Sequence, residues 1–437
     1  MKLSKYNFFY TLSENTKETL IYNSRTNALA FIKNENLPLI QVPQDKPVVI
    51  KDEELKSNLL SGGFIVDKDI NELDLLKLKL LSSRFNTKGL GLTIAPTLDC
   101  NFRCIYCYEK NSLHQQYMSY EVQERVFSFI NKQADTLKNL SISWYGGEPL
   151  LALDVIENLS NKIIKLCSEK NINYQASIIT NGYNLTKAYA LKLKELNITS
   201  GQVTIDGTAE IHNSRRPLAD GSKTFNTIIK NVKDCAEILN LTIRINTDKE
   251  NAPKTDELLN ILMQQGLKGK VGVYLGFVDT INDCYEDSKC FTREGSSKLN
   301  FANEIKLIKK GFNKDISHRY PRLYANSCGA DCINAFVIAP DGLLYKCWND
   351  IGIKEYAIGN IDTDSKAQKY NRSLFNTYMT YVAPDDPQCS KCKLLPICMG
   401  GCPNIRVKNN KNNCSEYMYN LEQYLVECAR TAEAKLQ

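Results

Sequence analysis

Between residues 90 and 278 strand-like and helix-like patterns alternate without a break. Residues 90–94, 140–145, 174–180, 202–205, 241–246 and 271–277 are short apolar runs that read as strands. Residues 122–133, 152–167, 188–196, 225–239 and 255–265 carry apolar side chains at helical spacing between them. Strands separated by helices pair in parallel, because each helix carries the chain back across the sheet. Six such units suggest an α/β fold built on an incomplete (β/α)6 barrel. Barrel sites collect at the C-terminal ends of the strands, so the residues after each strand are where chemistry is to be sought.

A chain of 437 residues, 43% apolar and 24% charged, has enough core for two or three domains. Its 55 basic and 49 acidic residues are mixed along the sequence, and the net charge of +6 forms no basic stripe. A nucleic-acid partner is therefore not expected. Residues 1–12 lack the apolar core of a signal peptide, and no run approaches the length of a membrane span. The expectation is a soluble, cytoplasmic protein with no membrane partner. Sixteen cysteines without a secretory signal point to metal or redox chemistry rather than to disulfides. Three lie between Cys100 and Cys107, and nine between Cys328 and Cys428.

The first strand runs into Cys100-x3-Cys104-x2-Cys107. Three thiolates can hold three irons of a [4Fe–4S] cubane and leave the fourth open to another ligand. The alternatives are a zinc site or three buried thiols. Zinc sites pair such cysteines with a second pair or with histidines, and the three histidines of the chain lie elsewhere. After the second strand comes Tyr145-Gly146-Gly147-Glu148-Pro149. Its glycines allow close backbone approach, and Glu148 can accept from an ammonium group; a simple turn would look the same. The third strand ends in Thr180-Asn181-Gly182 and the fourth in Val203-Thr204-Ile205-Asp206-Gly207, polar ends suited to a ribose. Arg244 and Asn246, on the fifth strand, suit the barrel interior or an ordinary buried network equally. Residues 279–327 form a charged bridge without a motif, ending in a helix-like stretch over 300–311. Cys167, Cys235, Cys284, Cys290 and Cys428 read as spare thiols.

A second cysteine pattern follows: Cys328, Cys332, Gly342-x4-Cys347, then Cys389-x2-Cys392-x5-Cys398-x3-Cys402, and Cys414. Residues 337–339 and 343–345 flank Pro340-Asp341-Gly342, a hairpin turn. Thiolates at the margins of a small hairpin make a cluster scaffold, or a pair of structural zinc sites.

The first cysteine loop and the Gly146-Gly147-Glu148-Pro149 segment resemble those of the radical S-adenosylmethionine (radical SAM) enzymes. That resemblance implies a SAM-binding cluster on Cys100, Cys104 and Cys107, whose open iron is chelated by the methionyl amino and carboxylate groups. Electron transfer then splits SAM into methionine and a 5′-deoxyadenosyl radical that abstracts hydrogen. It further implies that Gly146, Gly147 and Glu148 contact the SAM amino group, and that Thr204 and Arg216 contact its ribose or carboxylate. Arg216 offers the planar fork suited to a carboxylate. Tyr106 would lie against the adenine, with Thr180 and Asn181 as further contacts. The second pattern resembles the SPASM extension of these enzymes, with two auxiliary [4Fe–4S] clusters. Position by position, Cys328, Cys332, Cys347 and Cys402 would hold the first, and Cys389, Cys392, Cys398 and Cys414 the second, with Cys428 the alternative to Cys414. The two resemblances cover residues 90–437.

Residues 1–86 read as a hairpin over 6–12 and 18–22 around Ser13-Glu14-Asn15, a short apolar segment at 27–33, a helix over 52–60, a strand at 64–66 and a helix over 70–85. This resembles the winged-helix recognition element of peptide-modifying enzymes, in which a leader peptide adds as a strand to a sheet edge; a packing cap is the alternative. The resulting division is 1–86 recognition element, 87–278 radical SAM partial barrel, 279–327 bridge and 328–437 SPASM domain. SPASM enzymes mostly oxidise peptide side chains. The expected reaction is an intramolecular carbon–carbon cross-link, such as Lys–Trp, in a ribosomally made precursor peptide bound through its leader. Thioether formation is the alternative, followed by anaerobic sulfatase maturation or a non-catalytic electron carrier. Sulfatase maturases carry an aspartate base after the cysteine equivalent to Cys347; here that position is Trp348, and Asp350 lies two residues on. No catalytic base is assigned. A reducing donor such as flavodoxin or ferredoxin is the second expected partner.

Overall fold

The computed structural model describes residues 1–11, 17–43, 46–361, 370–409 and 413–436. The chain forms two compact units, one of Met1–Phe85, Asp315–Cys332 and Tyr378–Gln437, the other of Asn86–Lys314 and Ile333–Thr377.

The first unit opens with β1 (Lys2–Leu3), β2 (Asn7–Thr11), β3 (Glu18–Asn23), β4 (Ala28–Lys33) and β5 (Ile65–Val66). β2 and β3 pair antiparallel as expected, Asn7 opposite Asn23 and Thr11 opposite Thr19; the turn at Ser13, Glu14 and Asn15 lies outside the described residues. The apolar 27–33 segment is a third strand on the free side of β3. β1 pairs antiparallel with β5. Helix Glu53–Ser61 starts where the Asp52 side chain accepts from the backbone N–H of Glu54 and Leu55, and helix Glu72–Arg84 where Asn71 accepts from Leu73. The second helix buries Leu76, Leu80 and Arg84, spaced four apart, and leaves Leu75 and Leu78 exposed. Its broad apolar face is thus split into a packed stripe and an open one.

That stripe does not build a free-standing N-terminal core. Leu76, Leu80 and Tyr6 pack with Ala383, Cys389, Leu395 and Met399. Leu20 and Tyr22 pack with Leu394, Ile397, Leu421, Leu425 and Ala429. Residues from the two ends of the sequence share both cores, so the grouping in space cuts across the four-part division suggested by chain order.

The second unit is built on β6 (Gly89–Ile94), β7 (Asn139–Trp144), β8 (Asn173–Thr180), β9 (Ile198–Thr204), β10 (Asn240–Thr247) and β11 (Gly272–Phe277). These six lie parallel in sequence order, matching the six expected strands. The sheet extends further than the sequence suggested. β12 (Ala335–Ile338) joins β6 in parallel, and β13 (Leu343–Tyr345) and β14 (Gly359–Asn360) follow antiparallel, making nine strands. The expected hairpin at 337–345 is therefore an outer part of the barrel sheet. Leu90, Leu92, Ile94, Ile142, Trp144, Ile243 and Ile245 are buried in one core with Ile156, Leu159 and Ile163 of helix Leu153–Lys170. The intervening positions point the other way and are polar: Ser143 meets Ser177 at 3.2 Å, and the Tyr274 hydroxyl donates to Gln202 at 2.5 Å. In the bridge, helix Arg293–Lys310 starts earlier than the expected 300–311 stretch, and Gly311 closes it with φ +76°. Among the described residues no helix is long and apolar enough to cross a membrane.

Candidate active site

The cysteine loop is clipped to its neighbours by backbone. Gly147 N–H donates to the Thr97 carbonyl at 3.2 Å and Glu148 N–H to that of Asp99 at 2.8 Å. Only glycines permit this approach: a Cβ on Gly146 would lie 2.5 Å from the Thr97 oxygen, and one on Gly147 2.2 Å from that of Asp99. On the other side Arg103 N–H donates to Pro217, Ile105 N–H to Arg215, and Ala219 N–H to Asn101, all at 2.8–3.0 Å. The Asn181 side chain donates to that of Asn101 at 2.8 Å. Segments following β6, β7, β8 and β9 thus meet around Cys100, Cys104 and Cys107, at the C-terminal ends of the strands.

Burial pushes all three thiols up, Cys107 to about 12, and the Cys100 thiol also feels Cys104 and Cys107. Thiols so placed stay protonated at neutral pH unless a metal takes the protons' place. The cationic Arg216 beside Cys104 favours its thiolate. Partly buried, mutually close thiols with a guanidinium alongside fit an anionic iron–sulfur cluster.

The predicted SAM contacts fall into two groups. Tyr106, Thr204 and Arg216 are all buried. The Tyr106 hydroxyl donates to Asp206 and accepts from Arg216 Nη1 at 2.8 Å and Asn246 Nδ2 at 3.0 Å. Arg216 Nε is buried without a hydrogen-bond partner, an orphaned donor suited to a ligand carboxylate or ribose. Glu148 and Thr180 form the other group. The Glu148 carboxylate is fully buried and accepts from the Thr180 hydroxyl at 2.7 Å, Asn181 N–H at 2.7 Å and Leu150 N–H at 3.0 Å. Here the motif carboxylate caps its own segment and ties the end of β7 to the end of β8, while Gly146 and Gly147 bring backbone against the cysteine loop.

Sequence reading missed the ion cluster beneath Tyr106. Arg215 Nη1 donates to Asp248 at 2.5 Å and Nε to Asp206 at 3.4 Å, with all three side chains at most 5% exposed. The Arg215 guanidinium also sits 5.0 Å from the Tyr106 ring centre. Asp206 stands in the quoted Val203–Gly207 motif, but nothing in the linear sequence marks Asp248 as its companion. Arg244 does face the strand side shared by Asn246, to whose side-chain oxygen its Nε donates at 2.7 Å.

In the first unit, Cys389, Cys392, Cys398 and Cys414 line a single pocket with Leu394, Leu395 and Met418. Cys428 is buried elsewhere, its sulfur 3.7 Å from the Ile316 carbonyl. The four thiols around one space fit an auxiliary cluster, with Cys414 rather than Cys428 at the rim. Cys328, Cys332 and Cys402 also belong to this unit, whereas Cys347 belongs to the other; Cys328 and Cys402 are within electrostatic reach of each other. Among the described residues no three His, Cys, Asp or Glu side chains converge on a single-ion site. Thiolates at the corners of a cubane need not, because irons and sulfides fill the space between them.

The chain is similar to several known proteins. The radical SAM superfamily description matches residues 94–277. The cysteine-type anaerobic sulfatase-maturating enzyme of Clostridium novyi is 27% identical, over 76% of this chain and 92% of that protein. The structure of anSMEcpe with bound AdoMet and the Kp18Cys peptide is similar with a TM-score of 0.62 at 21% identity, covering 78% of this chain and 99% of that one. Streptococcus suis SuiB bound to S-adenosylmethionine is similar with a TM-score of 0.55 at 16% identity, covering 95% of this chain and 98% of that one.

Proposed function

From the premise that residues 94–277 are a radical SAM domain and the protein a radical SAM enzyme, we propose that it matures a ribosomally made precursor peptide by forming an intramolecular carbon–carbon cross-link, Lys–Trp being the type case. The observation that carries the peptide reading is the breadth of the similarity. A sulfatase-maturating enzyme matches over 76% of the chain. A fold likeness reaching 92% of it belongs to SuiB bound to precursor peptide SuiA.

When bound, SAM and its cluster supply a carbon-centred radical able to remove hydrogen from an unactivated carbon. The chain's own residues hold and orient that pair. Cys100, Cys104 and Cys107 bind three irons. The backbone of Gly146 and Gly147 lies toward the SAM amino group, with Glu148 and Thr180 bracing that segment. Arg216 directs its free Nε to the SAM carboxylate or ribose, Thr204 and Asn181 border the ribose, and Tyr106 lies against the adenine. Cys328, Cys332, Cys347 and Cys402 take one auxiliary cluster, and Cys389, Cys392, Cys398 and Cys414 the other, as electron acceptors for the oxidised product. The sheet of β2, β3 and β4 offers an edge to an extended leader, and a flavodoxin or ferredoxin supplies the electron.

Formylglycine formation is the second reading, favoured by the sulfatase-maturating relative. Against it stands Trp348, beside Cys347 where those enzymes carry an aspartate. Its ring lies 5.6 Å from that of Tyr145 at 32°, and Asp350 is 1% exposed. Mass spectrometry after anaerobic incubation with SAM and dithionite separates the readings. With a precursor peptide encoded beside the gene, the cross-link removes two hydrogens and spares every cysteine. Conversion of a cysteine-containing sulfatase peptide, with loss of its sulfur and no change in the precursor, would establish the second reading instead.

A further inference from the structure

Arg84 closes helix Glu72–Arg84 and is 1% exposed. A charged side chain that deep requires partners for its donors. Nε donates to the Asp331 carbonyl at 3.0 Å, and Nη1 donates to the carbonyls of Met379 at 3.0 Å and Tyr381 at 2.5 Å. Asp331 sits in the short turn between Cys328 and Cys332 and is itself 1% exposed. Its carboxylate accepts from Arg406 Nη2 at 3.0 and 3.2 Å and from the Ser327 hydroxyl at 2.9 Å. Arg406 Nη1 donates to the Gly401 carbonyl at 2.9 Å, its backbone N–H donates to that of Cys402 at 3.2 Å, and its guanidinium lies 4.0 Å from the Tyr381 ring centre.

Two buried arginines and one carboxylate thus tie together residues 328–332, 379–381 and 401–402. Three of the cysteines assigned to one auxiliary cluster lie on two of these stretches. Among the described residues the charges do not balance: Arg406 pairs with the Asp331 carboxylate, Arg84 bonds only backbone carbonyls, and Arg406 Nε has no hydrogen-bond partner. A buried excess of positive charge is costly unless an anion lies close, and a cubane held by four thiolates is such an anion.

We propose that Arg84, supplied by the N-terminal element, is a positioning residue for the auxiliary cluster of Cys328, Cys332 and Cys402. With Arg406 it sets the turn that spaces Cys328 from Cys332 and provides the positive charge that offsets the cluster. This rests on the reading of those cysteines as cluster ligands. It assigns the N-terminal element a part in cofactor assembly besides any grip on a peptide.

The test uses the full-length chain carrying Cys100→Ala, Cys104→Ala and Cys107→Ala, reconstituted anaerobically so that only the auxiliary clusters, about eight irons, remain. Iron and sulfide analysis is combined with a potentiometric titration followed by electron paramagnetic resonance. Arg84→Gln is expected to lose about half of this iron and one of the two signals, the other keeping its midpoint potential. Arg84→Lys keeps the charge but cannot reach three carbonyls together; it is expected to retain part of the second signal at a shifted potential, and it decides the matter should Arg84→Gln fail to fold. Full iron with both potentials unchanged in either variant overturns the proposal. So does equal loss of both signals in both variants, the mark of a purely structural role. Cys328→Ala with Cys332→Ala is the control: if that pair leaves iron unchanged, the ligand reading has failed, whatever Arg84 does.

Discussion

At the scale of single residues, the site is organised by what burial does to polar groups. Arg216 spends Nη1 on Tyr106 and keeps Nε free. Arg216→Lys retains the charge but loses the planar fork. SAM affinity measured by equilibrium binding is expected to fall about tenfold or more, the equivalent of one charge-assisted hydrogen bond of roughly 1.5–3 kcal/mol. Beside it, His212 is fully buried, and its Nδ1 accepts from the Asp206 N–H at 3.2 Å. Burial, then the charges of Arg216 and Arg215, hold its pKa well below the ordinary 6.5. The unfolded chain therefore binds this proton more readily than the folded one. Its contribution to stability is full above about pH 6.5 and is lost as pH falls below it, by up to about 1.4 kcal/mol per pH unit. Denaturant titrations between pH 7.5 and 5 are expected to show that slope, and His212→Asn to flatten it. Glu148 shows the limit of reading residues from sequence. Its place in the motif was legible, but the direction of its carboxylate, toward Thr180 and Asn181, depends on a neighbouring strand more than 30 residues away.

At the scale of elements, the six parallel strands were legible because each is a run of alternating or continuous apolar residues and five amphipathic helices separate them. β12 and β13 were legible only as a hairpin, and β14 was not legible at all. Their attachment to β6 joins residues such as Gly91 and Ala335, a pairing that no local pattern encodes, and β14 is only two residues long. The glycine pair after β7 was expected to admit a ligand, and it first admits the cysteine loop itself. Gly147→Ala would press a methyl group against the Asp99 carbonyl, and Gly146→Ala would add strain at φ +108°. Each is expected to lower the melting temperature and to deplete iron at the first cluster while leaving auxiliary iron in place, as measured by iron analysis against the triple-cysteine variant.

At the scale of the whole molecule, chain order sets residues 1–86 apart as a recognition element or a packing cap, and the shared cores show that they pack closely with residues from the far end of the sequence. Deleting residues 1–86 would strip Leu20, Tyr22, Leu76 and Leu80 from cores completed by Leu394, Leu395, Leu421 and Leu425. Burial of each such side chain contributes about 1.5–3 kcal/mol, so the truncated chain is expected to lose auxiliary iron and to aggregate rather than merely to bind peptide less well. Such long-range sharing is invisible in sequence because each segment alone carries a plausible amphipathic pattern. The central claim, that Cys100, Cys104 and Cys107 hold the cluster that activates SAM, is tested most directly by chromatography of 5′-deoxyadenosine from anaerobically reconstituted protein given SAM and dithionite. The native chain is expected to form 5′-deoxyadenosine, and the variant with all three cysteines changed to alanine to form none while keeping about eight irons in two auxiliary clusters; undiminished 5′-deoxyadenosine from that variant would contradict the claim.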